Sequence, residues 1–217
     1  MQCVRDGGHL WRMVSKVRKS IARMDKEAQM NFHYDKDKHE YTLDGKVLPT
    51  VTQILKEVGL IDTTWFTESA TMRGTDVHKM CHFYDESDLD ESQVPEDLKG
   101  YLEAWKKFKS DMCLVFTAIE VPLYSETYQY AGTPDRLGTS FGKGILIDIK
   151  SGIPQSWVRY QLAAYDILAG NSNVRERWCV QLKPDGNFSI MPFQDLFQDV
   201  DDWFVIKRMY DIKKGRV

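Results

Sequence analysis

The run Ile145-Leu146-Ile147-Asp148-Ile149-Lys150 carries a carboxylate and an ammonium two residues apart in an otherwise aliphatic stretch. Side chains alternate along a strand, so Asp148 and Lys150 share one face while Ile147 and Ile149 share the other. Charges on so apolar a strand are costly to bury unless they are paired or put to use. Upstream, Gly132-Thr133-Pro134-Asp135 ends a preceding strand, and a short loop then returns the chain as the strand bearing Asp148. Neighbouring strands would set Asp135 beside Asp148. Two carboxylates that close repel unless a cation lies between them. Hard oxygen donors that leave room for water suit Mg²⁺ or Mn²⁺. Such an ion polarises a phosphate and acidifies water, and Lys150 beside it can orient the water and offset charge growing on the phosphorus oxygens. The chemistry indicated is phosphodiester hydrolysis with no nucleophilic side chain. Each piece also has a plainer reading: Asp148 and Lys150 form a salt bridge, and Gly-Thr-Pro-Asp makes a turn.

Taken in order along the chain, these residues resemble the signature of the PD-(D/E)XK nuclease superfamily. Two further motifs are similar to its RecB-like exonuclease branch, Arg73-Gly74-Thr75-Asp76-Val77-His78 before the acids and Gln161-Leu162-Ala163-Ala164-Tyr165 after the lysine. The opening Leu48-Pro49-Thr50-Val51-Thr52-Gln53-Ile54-Leu55 is similar to that of phage-type and mitochondrial genome-maintenance exonucleases. The resemblance spans roughly residues 49–191. It implies a restriction-endonuclease-like core and a Mg²⁺- or Mn²⁺-dependent deoxyribonuclease. DNA ends or single strands would be the substrate, in recombination, repair or replication. It implies Asp135, Asp148, Lys150, Gln161 and Tyr165 as catalytic residues, and His78, Asp135, Asp148 and the Ile149 carbonyl as metal ligands. Arg73, Gly74, Thr75 and Arg136 are the candidate DNA contacts, and Glu120 is a second-tier acid near the site. An endonuclease of the same chemistry, or a non-catalytic nucleic-acid-binding module, are the alternatives; the intact acid–acid–lysine set speaks against the latter.

Several of these residues can be read differently. Gln161 and Tyr165 are four apart on one helix face, which could be a core stripe with two polar heads. His78-x-x-Cys81-His82 invites a zinc reading, but structural zinc takes four ligands and no second ligand cluster follows. Arg136 could pair with the acids instead of with phosphate. An iron–sulfur cluster is not expected, because only Cys179 follows Tyr165 where that variant of the branch places three cysteines. No G-x-x-x-x-G-K-[ST] is present, so a helicase or recombination partner would have to supply any motor.

These groups must be positioned by strands and helices alike. Residues 31–45 read as a hairpin breaking at Asp44-Gly45. A helix capped at Thr50 should run to Gly59, another should cover 69–84, and a third 98–109. Residues 85–97 hold seven acids and a proline, which predicts a solvated loop. Residues 114–124 and 128–135 read as paired strands, 144–150 as a third, and 177–183 with 187–191 as a last hairpin. Pro154 and Gly170 bracket a helix, and a final helix spans 195–213. The expected class is α/β or α+β with a central mixed sheet flanked by helices.

The 217 residues, 42 % of them hydrophobic, suffice for one sizeable core and so for a domain over 31–217. A net charge of -3 excludes a uniformly basic coat protein but leaves room for a local basic stripe. Residues 1–30 form a basic arm, seven Lys and Arg against three acids, at +4. It reads as a tail, a phosphate-contacting arm or a transit peptide. No apolar run reaches the roughly 20 residues that span a bilayer, so no membrane is expected. Four scattered cysteines without a CxxC suit a reducing compartment. That fits the cytoplasm of a bacterial or phage-infected cell better than a mitochondrial matrix. Oligomeric state, digestion polarity and strand preference are not legible.

Overall fold

The aliphatic run singled out above lies in the middle of a five-stranded sheet. In this computed structural model, which describes residues 32–62, 64, 67–170 and 174–216, it is strand β8 (Lys143–Lys150). The sheet order is β10-β9-β8-β7-β4, with β4 at Leu114–Ile119, β7 at Arg136–Ser140, β9 at Val174–Leu182 and β10 at Phe188–Phe193. β8 and β9 are parallel, and every other pairing in this sheet is antiparallel. A parallel pair needs a crossover, supplied by helix α4 (Val158–Leu168). The fold is therefore α+β, a central mixed sheet flanked by helices.

Alternation along β8 divides the interior in two. Ile145, Ile147 and Ile149 enter a core built with helices α2 (Glu68–Asp85) and α3 (Glu96–Asp111), around Trp105 and Phe108. Leu146 enters the other, with helix α1 (Val51–Glu57), α4 and the last helix α5 (Leu196–Lys213), around Trp203 and Tyr130. Asp148 and Lys150 follow Leu146 and so lie on the α4 side. Side-chain caps fix where helices begin: Thr50 Oγ1 accepts from Gln53 N–H at 3.0 Å, and Asp195 Oδ1 from Gln198 N–H at 3.1 Å. Each such cap contributes about 1 kcal/mol.

A smaller sheet, β1-β2-β3 (Phe32–Asp35, Glu40–Leu43, Lys46–Leu48), and a two-stranded ribbon, β5-β6 (Leu123–Ser125, Tyr130–Gly132), share a small core of Tyr41, Leu43, Leu48 and Ala131.

Four expectations need correction. Residues 114–124 pair with 128–135 only at their end, Leu123 with Gly132 and Tyr124 with Ala131. The rest of the first segment, β4, bulges between Phe116 and Ala118 and pairs with β7, where a short loop is expected. Glu120 takes φ 48° and Pro122 has no N–H to donate, so the chain leaves the sheet and starts the separate ribbon. Residues 32–48 form three strands, not a single hairpin; the Asp44-Gly45 turn is the second of two. The helix expected from Pro154 begins at Val158. Proline biases its predecessor toward extended backbone, and three successive i to i−3 bonds, from Val158, Arg159 and Tyr160, wind the chain into α4. Finally, Asp85 is not in a solvated loop: it ends α2 with its side chain fully buried.

The basic arm of residues 1–30 lies outside the described residues. Among the described residues no helix is long and apolar enough to cross a membrane.

Candidate active site

The β7–β8 hairpin sets the two aspartates level. Its register pairs Arg136 with Ile147, so one step further Asp135 stands opposite Asp148. The Asp135 carboxylate is held from two sides. Its Oδ2 accepts from the backbone N–H of Ile149 at 2.6 Å, and its Oδ1 lies 3.5 Å from His78 Nδ1. The other nitrogen of that imidazole, Nε2, is 2.8 Å from the Ile149 carbonyl oxygen. His78 reaches this point because Gly74, His78, Cys81 and Asp85 lie along one face of α2. A Cβ on Gly74 would come within 3.7 Å of Ser151 Oγ, just past the end of β8.

Asp148 is all but buried, with 2 % of its side chain exposed. Lys150 Nζ donates to its two oxygens at 2.9 and 2.8 Å and sits 5.6 Å from the centre of the Trp157 ring. Behind it, Cys179 Sγ lies 3.7 Å from Asp148 Oδ2. On α4, Gln161 Nε2 donates to the Tyr165 hydroxyl at 3.2 Å, while Gln161 Oε1 is buried with no hydrogen-bond partner. Tyr165 in turn packs on Gly132, where an added Cβ would meet its ring at 2.5 Å. The Thr133 hydroxyl is tied to Tyr41 Oη at 2.6 Å, so both ends of the Gly-Thr-Pro-Asp turn are anchored.

The electrostatics follow from burial and neighbours. Burial works against ionised Asp135, yet His78, Lys150 and the Ile149 N–H together hold its pKa down at about 2. Burial pushes the Asp148 carboxyl up, with the Asp135 charge adding to that effect and Lys150 opposing it. Burial also disfavours the charged forms of His78 and Lys150, but the aspartates outweigh it and both hold their protons more firmly than usual. The strand end is thus a well of negative potential filled by cationic groups.

Other sequence candidates fall elsewhere. Arg136 was a candidate phosphate contact, but its side chain is fully buried. Nε donates to Asp85 Oδ2 at 2.7 Å and Nη1 to the Asp135 carbonyl at 2.7 Å. A group with no exposed surface cannot grip a phosphate, so the pairing alternative holds. Glu120 turns away from the two aspartates, with Oε2 3.2 Å from His82 Nδ1 and Oε1 3.6 Å from Arg136 Nη1. Thr75 is exposed and bonds back to the Thr71 carbonyl at 3.2 Å. Arg73 is half-buried on α2, with its Nε unpartnered. Cys81 lies in the core. Among the described residues no three or more His, Cys, Asp or Glu side chains are gathered as a metal cage. The sequence reading missed Asp85 and Cys179. The spacing of Asp85 from His78 along α2 was available as a signal; the β8–β9 register that sets Cys179 opposite Asp148 was not.

No protein-family model matches the chain, and no curated protein sequence does either. Among solved structures it is similar to a putative exonuclease from Eubacterium rectale, at 13 % identity and a TM-score of 0.42, over 80 % of this chain and 77 % of that one. It is also similar to an alkaline exonuclease from Laribacter hongkongensis, at 13 % identity and a TM-score of 0.39, over 76 % and 80 %. The complex of that enzyme with dAMP matches at 12 % identity and a TM-score of 0.36, over 78 % and 92 %.

Proposed function

We propose that this chain is a divalent-cation-dependent deoxyribonuclease that hydrolyses phosphodiester bonds as an exonuclease on DNA ends or single strands. The observation that carries the reading is the meeting of Asp135, Asp148, Lys150, His78 and the Ile149 carbonyl at one strand end. The donor chemistry fits Mg²⁺ or Mn²⁺. His78 Nε2 shares its proton with the Ile149 carbonyl at 2.8 Å and must give it up to coordinate, because a metal-bound imidazole is neutral. Asp135, Asp148, His78 and the Ile149 carbonyl would hold the ion. When bound, it supplies charge neutralisation at the phosphate and a more acidic water.

The chain's own groups do the rest. Lys150 lies against Asp148 with its ammonium charged, ready to donate to a phosphate oxygen and to orient water. Trp157 lies beside it and limits where it can swing. Gln161 and Tyr165 present a linked amide and hydroxyl that steady the turn bearing Asp135. Arg73, with an unpartnered Nε, is the candidate phosphate grip on the α2 side, next to Gly74 and Thr75. Residues 31–217 would act as one nuclease domain.

The deciding experiment is time-resolved digestion of 5′- and 3′-labelled single- and double-stranded DNA with Mg²⁺, Mn²⁺ or EDTA. The parent should degrade linear DNA from an end with either metal and not with EDTA, and Asp148→Ala should be inactive but folded. Cleavage of closed circular DNA would assign an endonuclease of the same chemistry. Full activity of Asp148→Ala would overturn the site itself.

A further inference from the structure

A second feature lies at the other end of the β5–β6 ribbon. An open cavity of about 380 Å³ separates the ribbon's turn from α5, at the lower end of the roughly 300–1,000 Å³ usual for small-ligand sites. Its wall carries four cations, Lys46, Lys207, Arg208 and Arg216, against one carboxylate, Asp211, a local balance of +3 in a chain of net charge -3. Lys207 is buried and spends its charge on Asp211 at 2.6 Å. Lys46 makes only a neutral bond, to Gln129 Oε1 at 3.1 Å. Arg216 lies over the Tyr210 ring at 5.5 Å, and Arg208 is exposed with no carboxylate partner among the described residues. Lys46 and Arg208 therefore face solvent without a neutralising acid, while Arg216 also feels the Glu57 carboxylate. The remaining wall is aromatic: Tyr128, 41 % exposed, packs on Phe204 with ring centres 4.8 Å apart.

Uncompensated cations beside an exposed ring match a phosphate joined to a flat, unpaired base. We propose that this cavity binds a nucleotide unit of single-stranded DNA, with phosphate on Lys46, Arg208 and Arg216 and the base stacked on Tyr128. The proposal rests on the nuclease reading for its choice of DNA. The ribbon connects the two places. Its far strand is anchored by Tyr130 Oη donating to the Ala164 carbonyl at 3.1 Å, and it continues through Gly132 to Asp135. Five residues separate Gln129 from Asp135, at most about 20 Å of extended chain, so a strand leaving the carboxylates need cross only a few nucleotides to reach the cavity.

The test uses the full chain and fluorescence anisotropy of labelled oligothymidylate of twenty nucleotides in EDTA, where nothing is cut. Tyr128→Ala should weaken binding about tenfold, the order expected for one lost stack. Arg208→Glu should weaken it and lower the salt slope by about 0.7, one phosphate contact on a single strand. Lys99→Glu, on the exposed face of α3, controls for net charge and should do neither. Competing thymidine monophosphate and inorganic phosphate separate the sources: the strand proposal holds if neither displaces the oligomer at equal nucleotide concentration. Displacement by the mononucleotide makes this a free-nucleotide site and overturns it, and a loss confined to Arg208→Glu, or matched by Lys99→Glu, reduces it to general electrostatics. Because binding is read without metal, a protein that binds in this way but cuts nothing refutes the nuclease reading alone.

Discussion

The backbone N–H of Ile149 donates to Asp135 Oδ2 at 2.6 Å, and Asp135 Oδ1 faces His78 at 3.5 Å. One carboxylate thereby links the turn before β7, the end of β8 and helix α2. It acts as a structural clamp.

That clamp should register in acid. Asp135 has its pKa lowered to about 2 in the folded chain, below the ordinary carboxylate near 3.8. A depressed carboxyl contributes stability that is complete above the unfolded value and lost as pH falls through the folded one. Asp135→Asn should therefore cost roughly 2 kcal/mol at pH 7. The gap should narrow below pH 4 and close near pH 2. Urea unfolding of both proteins at pH 7, 4 and 2.5 measures it, and a pH-independent gap would mean that ionisation is not what the clamp uses.

Arg136 behaves as an internal strut. Both it and Asp85 have fully buried side chains, and removing one partner of a buried pair costs about 3–5 kcal/mol. Lys109 also reaches Asp85, at 2.5 Å, so Arg136→Met should fall at the lower end, about 3 kcal/mol. Chemical denaturation gives the number. A variant of unchanged stability but weaker, less salt-sensitive DNA binding would restore the phosphate-contact reading.

Gly132 is a packing requirement of the site. An alanine there would drive its Cβ to 2.5 Å from the Tyr165 ring and 3.2 Å from Val51 Cγ2. Overpacking of this kind costs about 1–3 kcal/mol. If the proposed nuclease site is right, Gly132→Ala, three residues before Asp135, should also lower the rate of DNA cleavage more than it lowers substrate affinity. Paired kcat and KM measurements on a folded variant distinguish this from simple loss of protein.

The two halves of the site differed in how readily they could be read. β8 was legible because its alternation is strict and its aliphatic face unbroken, and the caps at Thr50 and Asp195 announce their helices. β7 was not. Arg136-Leu137-Gly138-Thr139-Ser140 is short, polar and interrupted by glycine, and what makes it a strand is its hydrogen bonding to β4 and β8 on both sides. Asp85 was lost in an acidic stretch because nothing local separates a buried carboxylate from six solvated ones. Its partner Arg136 lies 51 residues away. Non-local pairing overrode local composition in both cases.

The hairpin origin of the acids also has a consequence for assembly. Asp135 meets Ile149 across 14 residues of chain, whereas His78 meets Ile149 across 71. On loop-closure entropy alone the longer contact costs about 1.4 kcal/mol more. The aspartates and lysine therefore come together with a two-strand unit, and the histidine joins only when α2 docks. Damage to the α2–sheet packing should release the histidine first and leave the acidic pair assembled, so the centre comes apart in stages.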